Sequence, residues 1–305
     1  MSTRAASKPQ LAAAAASALR PRFLGALRGE LLKLRRQRAL WVMLGIAILL
    51  FLIVVGAFVS TAQTRMLLHQ SPLAWFYLLL NVFLSVFDAG AGILLLIVSA
   101  RLVGMEYSAG TIRVLLGRGT GRLQLLLAKL TALALLGVAL LAVYALATAV
   151  VMYAMAVGWE GSASPITSLP SAAWHNLLIN FAIALISIGT NILIGTTAAV
   201  LGRSLAFGLG AALAFYPADN FGTIIFSLLS RLTGQHFWQT ITAYLLGPNL
   251  NVLQQLLQPD HKPATAFARP LIDVDGAHSL LVVAAYAVVF LAVSLILTAR
   301  RDVLQ

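Results

Sequence analysis

Residues 41–59 read WVMLGIAILLFLIVVGAFV, nineteen positions in a row without a charge. About 20 apolar residues are what a helix needs to cross a hydrocarbon core of ~30 Å. No water reaches that core, so the segment must pair its own backbone N–H and C=O groups. The apolar residues run on continuously rather than alternating with period two, which favours a helix over a barrel strand.

Five further runs of this kind follow: Leu73–Ala100, with its membrane part at about 76–100, Leu130–Val157, Leu177–Leu201, Leu205–Leu229 and Leu280–Ala299. Sixty per cent of the 305 residues are hydrophobic and 10% are charged, against about 25% charged in a soluble domain. The chain therefore reads as an all-α membrane protein with six spans at about 41–59, 76–100, 130–157, 177–201, 205–229 and 280–299. It has no cysteine, which excludes disulfides and thiolate metal sites.

The net charge of +12 would suggest nucleic acid in a soluble protein. Here the cations sit between the apolar runs instead. Of 21 Lys and Arg, 17 fall in alternate segments: 1–40, 101–129, Arg203 and Arg300–Arg301. The other segments hold only Arg65, Arg231, Lys262 and Arg269. Cytoplasmic loops carry the excess of Lys and Arg, so both termini are expected inside. No nucleic-acid partner is implied.

The first 38 residues carry no acid before Glu30 and resemble an organellar transit peptide or a signal n-region. The run that follows is too long for a signal core and lacks a small-residue cleavage pattern. A disordered tail at 1–19 is expected instead, followed by a helix at 20–38. Leu24, Leu27, Leu31 and Leu34 recur there at helical spacing, while Arg28, Lys33, Arg35 and Arg36 lie mostly elsewhere around the helix. Such a helix lies in the membrane interface with its cations near anionic lipid headgroups.

The loop at 101–129 is the most unusual segment. Gly110 can end the second span in a left-handed conformation, and Thr111 can cap a short new helix. Gly117–Gly121 would break that helix before the chain re-enters the membrane after Arg122. The result is a cytoplasmic finger with Ile112, Val114, Leu115 and Leu116 as its apolar face.

Here the sequence resembles the membrane permeases of type-2 ABC exporters, the type V exporter fold. Their first cytoplasmic loop runs Glu, then Gly-Thr, an apolar stretch, a small-residue turn, Arg, and a Lys about seven residues on. Glu106, Gly110, Thr111, Arg122 and Lys129 match that pattern, and Glu30, Lys33 and Arg36 look like the family's elbow helix. One departure is Gly119-Thr120-Gly121-Arg122 where the family has Pro-x-Ser-Arg. Glycine makes the same turn with less rigidity.

The resemblance implies a single permease domain over 20–305, with an elbow helix at 20–38 and a coupling loop at 101–129. Glu106, Gly110, Thr111, Ile112, Arg113, Leu115, Arg118, Arg122 and Lys129 would meet a cytoplasmic ABC ATPase subunit, which binds the ATP and Mg; this chain would hold no cofactor. A second permease copy or a paralogue would complete the pathway. Short helices at Gln235–Leu246 and Asn249–Gln258, divided by Gly247-Pro248, would fold back toward the outer face within the extracellular segment 230–279.

No catalytic motif stands out. Gly117-Arg-Gly-Thr-Gly-Arg122 has the glycines of a phosphate loop but not its Lys-Ser/Thr pair. The five histidines are scattered and share no ligand spacing. The polar residues inside the spans are more informative. A charged side chain at mid-membrane costs at least ~2.5 kcal/mol, so Asp88 is expected to face the bundle interior or a wet pathway. Asp219 follows Pro217, which frees a carbonyl and bends a helix. Asn81, Asp88, Asn191 and Asp219 are the candidate substrate-pathway residues; helix–helix hydrogen bonding is the competing role for the asparagines. The Gly90-x-Gly92 and Gly208-x-Gly210 pairs are expected to allow close helix packing. Interrupted second spans in each three-helix half also suit an ion-coupled carrier with its site at Asp88 and Asp219.

Overall fold

The computed structural model describes residues 23–110, 121–257 and 268–300. Among them there are helices and no strands. In chain order they are α1 (Phe23–Arg36), α2 (Arg38–Ser60), α3 (Ala62–Gln70), α4 (Pro72–Ser108), α5 (Arg122–Glu160), α6 (Ser164–Thr167), α7 (Ser171–Gly202), α8 (Leu205–Thr233), α9 (Phe237–Thr242), α10 (Leu246–Leu257) and α11 (Gly276–Arg300). Six of these, α2, α4, α5, α7, α8 and α11, are long and apolar enough to cross a membrane.

The long helices overshoot the apolar runs. At ~1.5 Å per residue, the 37 residues of α4 extend about 55 Å, well beyond the ~30 Å core. The excess lies at one end, where α4 carries Arg101 and Glu106, and α5 opens with Arg122 and Lys129. Gly110 takes φ +65° just past α4, so that helix stops where its glycine was expected to stop it. The proposed finger residues Thr111, Ile112, Arg113, Leu115 and Arg118 lie outside the described residues.

Segments expected on one side of the membrane gather at one end of the bundle. At the end holding Glu106, the Leu205 N–H donates to Ser108 Oγ at 2.9 Å, and Arg122 Nη1 reaches the Ala299 carbonyl at 3.5 Å. At the far end, His69 Nδ1 lies 2.5 Å from the Glu160 carboxylate. Asn176 Nδ2 donates to the Tyr77 hydroxyl there at 2.9 Å.

α7 is the central element, packed by α4, α5, α8 and α11. It approaches α4 closely at Gly195, where an added Cβ would meet Ser99 Oγ at 2.0 Å and the Leu96 carbonyl at 2.5 Å. The expected glycine pairs work singly. Gly208 lies against the Ala199 backbone, with 2.9 Å from a built Cβ to Cα, and Gly92 meets Asn191, while Gly90 and Gly210 face open space. Near the Glu106 end the core comprises Leu34, Leu94, Leu95, Val98, Leu133 and Ile188. Toward the far end it comprises Trp75, Phe76, Phe83, Met152 and Ala156. By contrast α2 is peripheral, with Trp41, Ile46, Leu49 and Ile53 exposed. An exposed apolar side chain on a span faces lipid or another subunit.

Three local features stand out. Ala62–Gln70 is helical, although Arg65 and His69 interrupt its apolar pattern; Leu68 anchors it, fully buried. α8 continues through Pro217. Gly247-Pro248 opens α10 rather than separating two helices, because the first turn of a helix does not need the N–H that proline lacks.

Candidate functional site

α1 is an amphipathic helix whose Leu34 is buried while Leu24, Arg35 and Arg36 are exposed. It lies along α5. Where it meets the protruding ends of α4 and α5, four charges from three helices converge. Lys129 Nζ donates to Glu30 Oε2 at 2.9 Å, to Glu106 Oε1 at 2.7 Å and to the Leu102 carbonyl at 3.2 Å. Lys33 Nζ donates to Glu30 Oε1 and to Glu106 Oε1, both at 2.6 Å. Two carboxylates and two ammoniums balance, so the cluster is neutral as a whole.

The cluster is buried. Lys129 is 3% exposed and Glu30 2%; only Lys33 opens to the outside, with 43% of its side chain exposed. Buried charges are tolerable when each is paired and hydrogen-bonded, and charge-assisted bonds are about twice as strong as neutral ones. Burial pulls the Lys33 pKa down, but its hydrogen bonds to Glu106 and Glu30 and their negative charges outweigh that, and the net direction is up from the ordinary 10.5. Lys33 therefore keeps its charge throughout the range below 10.5. Glu106 Oε2 is buried and has no hydrogen-bond partner among the described residues.

The structure thus unites Glu30, Lys33, Glu106 and Lys129, which lie up to 99 residues apart in sequence. Glu106 was expected at the protruding tip beside Gly110; instead its side chain turns back into the bundle. Arg36 is exposed and stays outside the cluster. Arg122 sits at the start of α5, toward the end of α11.

Deeper in the bundle the candidate pathway residues separate. Asp219 on α8 accepts from the Gly247 N–H in the first turn of α10, where a helix has free N–H groups and its dipole favours an anion. Asp219 therefore caps α10. The neighbouring Asn220 Oδ1 accepts from Asn251 Nδ2 on α10 at 2.8 Å. Asn81 Oδ1 on α4 accepts from Gln254 Nε2 on α10 at 2.6 Å, so α10 is tied to two spans. Asn191 is buried, and its Nδ2 donates to the Ser187 carbonyl at 2.8 Å. Asp88 is the exception, because it is exposed along α4, with the Ser187 hydroxyl of α7 hydrogen-bonded to it.

A further polar joint fell outside the sequence reading. Asn249, fully buried on α10, donates to the Ala243 carbonyl at 2.7 Å and accepts from Ser279 Oγ of α11 at 2.8 Å. Nothing in the sequence marked it, since a lone Asn in a short loop helix has no pattern to betray it. A cavity of about 430 Å³ lies between α4, α5 and α7, walled by Phe76, Phe83, Tyr144, Trp174 and Phe181 among others.

The arrangement offers a membrane bundle with a charged clamp at one end. The family described as ABC-2 family transporter protein matches residues 26–192, from α1 into α7 and more than half of the chain. No curated protein and no solved structure matches it. ABC-2 permeases are the membrane component of their transporters, generally paired with ABC ATPase subunits, and are not themselves the catalytic part. From α1 through four of its six long helices, this chain belongs to the ABC-2 transporter family, as a type-2 ABC permease subunit.

Proposed function

We propose that the chain is the permease of an ATP-driven exporter in the bacterial cytoplasmic membrane, with both termini cytoplasmic. A separate ATPase subunit binds ATP and Mg and docks on the 101–129 segment. Two permeases pair, as a second copy or a paralogue, and the pathway runs between them. α1 acts as the elbow helix in the interface, against anionic lipid. α9 and α10 fold back into the outer half of the bundle as re-entrant helices.

The observation that carries this reading is the buried Glu30–Lys33–Glu106–Lys129 cluster. It locks α1 to the ends of α4 and α5, which carry the two arms of the 101–129 segment. A push on that loop then moves the elbow helix and two spans as one body, because a packed, charge-balanced cluster shifts between discrete arrangements rather than deforming. The ion-coupled carrier alternative has its site at Asp88 and Asp219; Asp219 is engaged as a helix cap, which favours the permease reading at that position.

The test is purification from the native membrane through a tag on this chain. An ATP-hydrolysing subunit should accompany it in equal copy number. Recovery of the chain with no such subunit, under detergents that preserve other membrane complexes, would remove the reading.

A further inference from the structure

The cavity between α4, α5 and α7 is a cleft, floored by one helix and flanked by two. Phe76, Leu80, Phe83 and Leu84 of α4 form the floor and are all buried. Their spacing puts them on one face of that helix. On α5 the small side chains Ala145, Thr148 and Ala149 border the space, at the i, i+3, i+4 spacing of a single face. On the other flank α7 presents Trp174 and Phe181. Short side chains on one flank and aromatic ones around them leave about 430 Å³ between the helices. The cleft opens sideways, because Ala149 and Tyr153 of α5 and Trp174 of α7 are exposed along its edges.

Water does not suit this space. Among the described residues no Lys, Arg, Asp or Glu lines it. The Tyr144 hydroxyl on its wall is already engaged, donating to the Phe83 carbonyl at 2.8 Å. A confined water needs several polar partners, and an empty cleft would leave its walls without dispersion contacts on one side. The occupant is therefore apolar and uncharged. Its dimensions follow from the walls. From Leu141 to Tyr153 the α5 flank rises about 18 Å at ~1.5 Å per residue. One leaflet of a ~30 Å hydrocarbon core is about 15 Å deep. The cleft begins near the membrane surface, since Trp174 lies in the first turn of α7 and Phe76 just beyond the first turn of α4. Tyr153 and Trp174 at its edges are of the ring types that gather at a membrane interface. It thus runs from the interface to about the depth at which the leaflet ends. The helix face of a second subunit could cover the opening but could not reach the floor.

We propose that the cleft holds one acyl chain of a membrane phospholipid, taken from the leaflet opposite the charge cluster and lying on α4 between α5 and α7. This goes beyond the permease reading and needs only the membrane-spanning bundle. A preparation without an ATPase subunit would count against that reading and leave this one standing.

The test places the complex, purified through a tag on this chain, in nanodiscs that contain a phosphatidylcholine with a diazirine midway along one acyl chain. Irradiation couples the chain to whatever it touches, and fragment mass spectrometry locates the adducts. Lipid around the bundle labels exposed positions anywhere, so the floor is the readout. Phe83 and Leu84 are buried yet line the cleft, and they should be labelled. Trp75 and Leu95, fully buried elsewhere on α4, should not. Ala145→Phe, and separately Ala149→Phe, should bring floor labelling down to the level of Leu95. Leu146→Phe, on the exposed face of α5 outside the cleft, should leave it as in wild type. Should Ala145→Phe fail to fold, Ala149→Phe decides alone, because its position is exposed. The proposal is overturned if the wild-type floor is labelled no more than Leu95, as it would be with a protein segment seated in the cleft. It is equally overturned if the folded filling variants keep wild-type labelling of the floor, or if Leu146→Phe removes it as they do.

Discussion

Lys129 holds together three helices with one nitrogen, through Glu30 on α1, Glu106 on α4 and the Leu102 carbonyl. Removing it leaves two buried carboxylates to share Lys33 alone. Breaking a buried pair by deleting one partner costs about 3–5 kcal/mol, so Lys129→Met should destabilise the purified protein by that order. Thermal unfolding in detergent reads the loss; an unchanged midpoint would mean that the cluster contributes nothing net. Glu30→Gln combined with Lys129→Met removes one charge of each sign, restores balance and should recover part of the loss. The Glu30–Lys33 spacing was visible in the sequence as an i, i+3 pair. Their meeting with Glu106 and Lys129 was not, because positions 73 to 99 residues apart leave no periodic trace; only the family pattern marked all four.

Elements were legible to the extent that their cause is local. Hydropathy is a property of the segment itself, so six spans could be read directly, and Gly110 ended α4 as a residue suited to positive φ should. Packing partners are not local, and there the sequence misled by halves. The Gly-x-Gly pairs drew attention, yet α4 and α7 meet more tightly at Gly195, a single glycine with no motif around it. Gly195→Ala would drive a Cβ into Ser99 and the α4 backbone, and overpacking of that kind costs about 1–3 kcal/mol. Gly90→Ala meets nothing within 4 Å and should be neutral or stabilising by about 0.5–1 kcal/mol through helix propensity. Thermal unfolding of the two variants side by side checks the pair. Equal behaviour would contradict the close approach of α4 and α7. α3 and α10 escaped an accurate reading for the same reason, since Leu68 and Asn249 are fixed by neighbours distant in sequence.

At the scale of the whole molecule, the charge cluster at one end and the polar ties of α10 toward the other bracket a central α4–α7 pair. Asp219, read from sequence as a pathway residue, belongs to those ties, while Asp88 remains open between the two ends. The sequence showed that both acids lie in spans but not which one already had a partner, because the partner is a backbone N–H in a different helix. In the proposed export cycle an ATPase subunit would move the 101–129 loop at the cluster end, while α10 ties α4 and α8 together toward the other end. In this mechanism the loop transmits the motion. Ile112→Asp with Leu115→Asp tests it most directly, because these positions lie outside the spans and a carboxylate in an apolar groove costs several kcal/mol unless paired. ATP hydrolysis is measured on the tagged complex together with the amount of ATPase subunit retained. The double variant should fold but lose the ATPase subunit or its stimulation by cargo; full retention of both would show that the loop is not the coupling element.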